Sequence, residues 1–84
     1  LPSLTEERRK ELVKVLGKKT EEARIRIRKI REDVWGGIQD KEKNGEISED
    51  DKFRMKDQLQ EMVDAYNKKI QEMDEKKEKE IMEV

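Results

Sequence analysis

Two interleaved stripes in the stretch 21–38, EEARIRIRKIREDVWGGI, constrain this chain more than any other feature. At 100° per residue, the spacing of an α-helix, Ala23, Ile27, Ile30 and Val34 recur at intervals of 4, 3 and 4 and share one face. Arg24, Arg28, Arg31 and Trp35 recur at the same intervals, roughly a quarter-turn further round. The apolar stripe requires a packing partner. The arginine stripe offers its shoulder to something else, and a phosphate backbone is the partner guanidinium groups suit, because their planar donors can engage two oxygens at once.

Helical periodicity decides between two readings of an unusual composition. Only 31% of the 84 residues are hydrophobic and 51% are charged, a balance shared by disordered chains and by long helices. Disorder requires that periodicity be absent, and here it is present. With one proline, four glycines and almost no β-branched alternation, the chain has no sheet signal. So few apolar residues leave a narrow core, one small domain at most.

Absent residue types narrow the chemistry. Without cysteine there is neither a disulfide framework nor a thiolate metal site, and without histidine the commonest general base and metal ligand are missing. Ser3, Thr5, Thr20 and Ser48 therefore have no partner to activate them, and no glycine-rich phosphate loop is present, so no catalytic residue, cofactor or metal is expected. No apolar run approaches the roughly 20 residues of a membrane span, and no signal peptide opens the chain. A cytoplasmic, non-enzymatic protein is the expectation. Its net charge of −1 hides a strong asymmetry: from Arg8 to Arg31 eleven Lys and Arg face three Glu, whereas from Glu32 onward ten face seventeen acids.

Along the chain, Leu1-Pro2-Ser3-Leu4 reads as extended because proline disfavours helix in the residue before it. Thr5 reads as an N-cap with Glu6 and Glu7 in the first turn, at the positive end of the helix dipole. A helix over about 6–43 follows, 38 residues and about 57 Å long, with weak points at Gly17 and at Gly36-Gly37. It is expected to survive Gly17, and either to survive or to kink at the glycine pair. Leu12, Val13, Val15 and Leu16 open its apolar face, and Lys19 and Thr20 leave a polar gap that weakens any reading as a continuous coiled coil.

Asn44-Gly45 is the one strong turn signal, Gly45 suiting a left-handed position just past a helix end. After a turn over 44–47, Ser48-Glu49-Asp50-Asp51 resembles a capping box, which accounts for the paired acids better than a metal does. A second helix over about 49–83 carries Phe53, Met55, Leu59, Met62, Val63, Tyr66, Ile70, Met73 and Ile81 as its apolar face. Its methionines read as flexible core filling, and its charged end, residues 74–83, as a solvated helix. The predicted fold is thus all-α, a single domain over 1–84 built as an antiparallel long helical hairpin. Stripes this wide need a third partner, so the hairpin is expected to be completed to a three- or four-helix bundle by a companion helix or by self-association as a homodimer.

Specific residues also carry a resemblance. Leu4-Thr5-Glu6-Glu7-Arg8-Arg9-Lys10-Glu11-Leu12-Val13-Lys14 is similar to the start of the second long helix of the bacterial ribosome recycling factors. Glu22-Ala23-Arg24, Ile27-Arg28-Lys29-Ile30-Arg31, Ile47-Ser48-Glu49-Asp50-Asp51 and the closing Lys77-Glu78-Lys79-Glu80-Ile81-Met82-Glu83-Val84 continue the resemblance in order. It implies the last two helices of a three-helix bundle, without the first helix and the small inserted β-domain. It further implies a translation factor that binds large-subunit rRNA and, with elongation factor G and its GTP hydrolysis, splits ribosomes after termination. The rRNA contacts fall on Arg28 and Arg31, with Arg24 a weaker addition, and rRNA binding without recycling is the most such a fragment is expected to do.

Three departures bear on that inference. Lys29 stands where the family usually has Asn, Glu32 where it usually has a further Arg, and Trp35-Gly36-Gly37 is unlike the usual helical continuation. Trp35 could make a cation–π contact with Arg31, stack on a base, or meet another helix in an interface. A second reading therefore stays open: a structural or engineered hairpin derived from such a factor, which self-associates and has no ribosome activity.

Overall fold

The computed structural model describes residues 4–83. The extended start expected at Leu1, Pro2 and Ser3 lies outside them, as does Val84. Two helices, α1 (Glu6–Lys43) and α2 (Glu49–Met82), form a rod of 64 × 15 × 15 Å. The second ends one residue before the expected boundary, with Glu83 as its C-cap.

Local chemistry accounts for each end. The Thr5 hydroxyl accepts from Arg8 N at 3.1 Å and caps α1, with Glu6 and Glu7 in the first turn. At the other end Gly45 takes φ 76°, the one positive φ among the described residues. Its N–H bonds the Glu42 carbonyl at 3.1 Å while Glu46 N bonds that of Lys41 at 2.9 Å, the paired bonds of a Schellman cap. Ser48 and Asp51 then close a true capping box: Asp51 N donates to Ser48 Oγ at 3.1 Å and Ser48 N to Asp51 Oδ2 at 3.3 Å. The bond from the Ser48 backbone holds the Asp51 carboxyl below its ordinary pKa.

Between these caps α1 runs unbroken through Gly17 and through Gly36-Gly37. A methyl group built on either residue of the pair meets nothing within 4 Å, and neither has a positive φ. Gly37→Ala is therefore expected to stabilise the chain by about 0.5–1 kcal/mol. Thermal melts followed by circular dichroism should rise by a few degrees; a fall would mean that the position needs glycine for another reason.

The helices meet along a single seam. On α1 it follows Val13, Leu16, Thr20, Ala23 and Ile27, whose 3,4,3,4 spacing keeps one line facing a neighbouring helix. On α2 it follows Met55, Leu59, Val63, Asn67, Ile70 and Asp74. All are half-buried, and no described residue is fully buried. The supposed gap at Thr20 is part of the seam, because its hydroxyl donates to Asp74 Oδ1 at 2.6 Å. Phe53 departs from its expected face: it is exposed, with the Lys52 ammonium 5.1 Å from its ring.

Each end of the rod is tied. Near the turn Lys52 pairs with Glu42 at 3.5 Å. At the open end Arg9 Nη1 donates to the Ile81 carbonyl at 2.7 Å and also to that of Glu83, placing a cation on the last unsatisfied carbonyls of α2.

Candidate nucleic-acid interface

A groove lies on each flank of the seam, and Ile27 and Val63 floor both. One groove, about 350 Å³, has Arg24, Arg28 and Arg31 of α1 as one wall and Gln60 and Asn67 of α2 as the other. The opposite groove is apolar, lined by Ile30, Val34, Leu59, Met62 and Tyr66, with Arg31 at its edge. The two stripes of the sequence thus occupy opposite sides of the hairpin. The seam runs between them rather than along the apolar one. Ala23 and Ile27 are drawn into it, whereas Ile30 and Val34 swing outward, Ile30 to 56% exposure.

The three arginines are not equivalent. Arg28 and Arg31 are exposed and make no ion pair or side-chain hydrogen bond among the described residues. Their donors are free for an anion. Arg24 is half-buried against the seam, donates through Nη2 to Gln71 Oε1 and keeps Nε buried without a partner. It belongs as much to the helix–helix contact as to the groove. Asp64, next to Val63 on α2, accepts from Gln60 Nε2 at 2.9 Å.

Trp35 corrects one expectation. The ammonium of Lys56, on α2, lies 5.4 Å from its ring centroid, so the cation–π partner comes from across the seam rather than from Arg31. Half-buried, Trp35 is a contact between the two helices. Gln60 and Asn67 had escaped notice, although their spacing of 3 and 4 about Val63 was available as a signal. Without arginines of their own, amides on a polar flank look like ordinary helix surface.

The hydroxyls have structural work: Thr5 and Ser48 cap helices, and Thr20 bridges the seam. No group of three or more metal-binding side chains occurs among the described residues, and none of their helices is long and apolar enough to cross a membrane.

Comparison with known proteins decides the family. A family model described as ribosome recycling factor matches residues 1–82, both helices and both grooves included. The chain belongs to the ribosome recycling factor family. Over all 84 residues it is 54% identical to the ribosome-recycling factor of Halothermothrix orenii and 48% identical to that of Bacillus subtilis strain 168. Over 81 residues it is 49% identical to that of a Synechococcus strain, covering 96% of this chain. It spans 45%, 45% and 44% of those three proteins, respectively. The chain thus spans less than half the length of these ribosome recycling factors.

Proposed function

We propose that this chain supplies the RNA-facing part of a ribosome recycling factor, holding large-subunit rRNA by Arg28 and Arg31, with Arg24 in support. The observation that carries this reading is the pair of exposed guanidinium groups, one helical turn apart and without acidic partners among the described residues. Cations so arranged lower their free energy by taking phosphate oxygens and releasing the counterions condensed on the nucleic acid. The whole protein would act in the cytoplasm with elongation factor G to separate ribosomal subunits. Residues 1–84 form the single helical unit that seats it, and by themselves bind without splitting.

Co-pelleting of the 84-residue chain with purified large subunits, at low and at moderate salt, tests the reading. Binding that weakens steeply as salt rises supports it. No binding at either salt overturns it, and the family then records ancestry alone.

The apolar groove favours a second activity of the same chain, self-association into a four-helix bundle. Met62 and Tyr66 are 57% and 51% exposed in the groove that Ile30 lines from the other helix. Such a surface normally marks an interface. A companion helix from a longer chain would cover it equally well, giving a three-helix bundle.

A further inference from the structure

The arginines do not explain the second wall of their groove. Gln60 and Asn67 stand seven residues apart, about 10 Å along α2, and face Arg24, Arg28 and Arg31 across Ile27 and Val63. Gln60 has one end of its carboxamide engaged, and Asn67 has one end buried away from the groove. Gln60 gives Nε2 to Asp64 at 2.9 Å, which leaves its carbonyl oxygen as an acceptor. Asn67 has Oδ1 buried and unpaired, so its NH2 is the end left to reach the groove. Cations on one wall therefore face one neutral acceptor and one neutral donor on the other.

A phosphate alone leaves that second wall idle. Reading a base edge also fits poorly, because an amide recognises adenine by presenting its donor and its acceptor together, and here Gln60 Nε2 is held by Asp64 while Asn67 Oδ1 is buried. Single hydrogen bonds suit a hydroxyl, which donates and accepts. Ribose 2′-hydroxyls line the wide, shallow minor groove of an A-form duplex between its phosphate strands, and DNA lacks them.

We propose that Gln60 and Asn67 make this groove selective for RNA by hydrogen-bonding ribose 2′-hydroxyls while Arg28 and Arg31 hold the flanking phosphates. The inference rests on the rRNA-binding reading above and adds the groups that discriminate. Gln60 accepts from one hydroxyl, and Asn67 donates to another about two steps along the strand. Arg24, fixed by Gln71, sets the wall opposite rather than contributing most of the affinity.

Fluorescence anisotropy of the 84-residue chain tests this against three labelled duplexes of one sequence: RNA, DNA, and RNA methylated at every 2′-oxygen. Methylation keeps the A-form shape but removes the hydroxyl donor and crowds its oxygen. RNA is expected to bind roughly tenfold more tightly than the other two, the effect of two ordinary hydrogen bonds. Gln60→Ala with Asn67→Ala should lose most of that preference for RNA over DNA, with helicity checked by circular dichroism. Equal affinity for RNA and methylated RNA overturns the proposal, since shape would then be what is read. Equal affinity for RNA and DNA also overturns it, yet leaves the arginine reading standing. Failure to bind any duplex at low salt overturns both. All three duplex comparisons use the unaltered chain, so a double variant that does not fold leaves the test intact.

Discussion

Replacing Arg28 and Arg31 together by alanine is expected to lower affinity for large-subunit RNA by roughly tenfold or more at low salt and to flatten its salt dependence. Each phosphate contact contributes about 0.7–0.9 to the slope of log affinity against log salt, so losing both should reduce that slope by about 1.5. Stability should hardly move, because both side chains are exposed and make no ion pair among the described residues. Arg24→Ala provides the contrast. It removes a donor to Gln71 at the seam, so it should weaken binding less and lower the melting temperature more. Lysine at positions 28 and 31 should restore the salt slope but only part of the affinity, since a point charge cannot grip two oxygens. Co-pelleting across a salt series reads all of these. A double alanine variant whose slope matches the parent would mean that the stripe faces water and touches no phosphate.

The helix ends were readable because each is set within a few residues. Thr5, Asn44-Gly45 and Ser48-Asp51 satisfy backbone groups one turn away, and no distant part of the chain is needed to make them do so. The line of contact was not, since it depends on where the other helix lies. Both stripes are present on the helical wheel, but only α2 decides that the seam runs between them and that Ile30 and Val34 stay outside. Thr20 looked like a gap because its partner Asp74 is 54 residues away. Arg9, one basic residue among eleven in its segment, gave no sign that it would reach the carbonyls of Ile81 and Glu83. The candidate site divided in the same way. Its cations follow a period visible along one helix, whereas its amide wall acquires meaning only when a second helix is laid beside the first.

Charging the apolar groove, by Ile30→Glu with Met62→Glu, is expected to hold the chain monomeric and to remove most of its helical signal at micromolar concentration. Ordering a backbone costs about 1–2 kcal/mol per residue. Against that, this hairpin sets one narrow seam in which no described residue is fully buried. Helices with so little covered surface gain stability when another surface closes over them, and Ile30 and Met62 face the same open groove. The unaltered chain should therefore melt at a temperature that rises with concentration, as mass action requires when folding and association are linked. Sedimentation and thermal melts over a hundredfold concentration range read both effects. A melting temperature independent of concentration in the unaltered chain would sink the idea. The two grooves also share Ile27 and Val63 as their floor, so whatever closes the apolar side fixes the spacing between the arginine wall and the amide wall. The variant carrying both Ile30→Glu and Met62→Glu should accordingly bind RNA more weakly although none of its arginines has been touched.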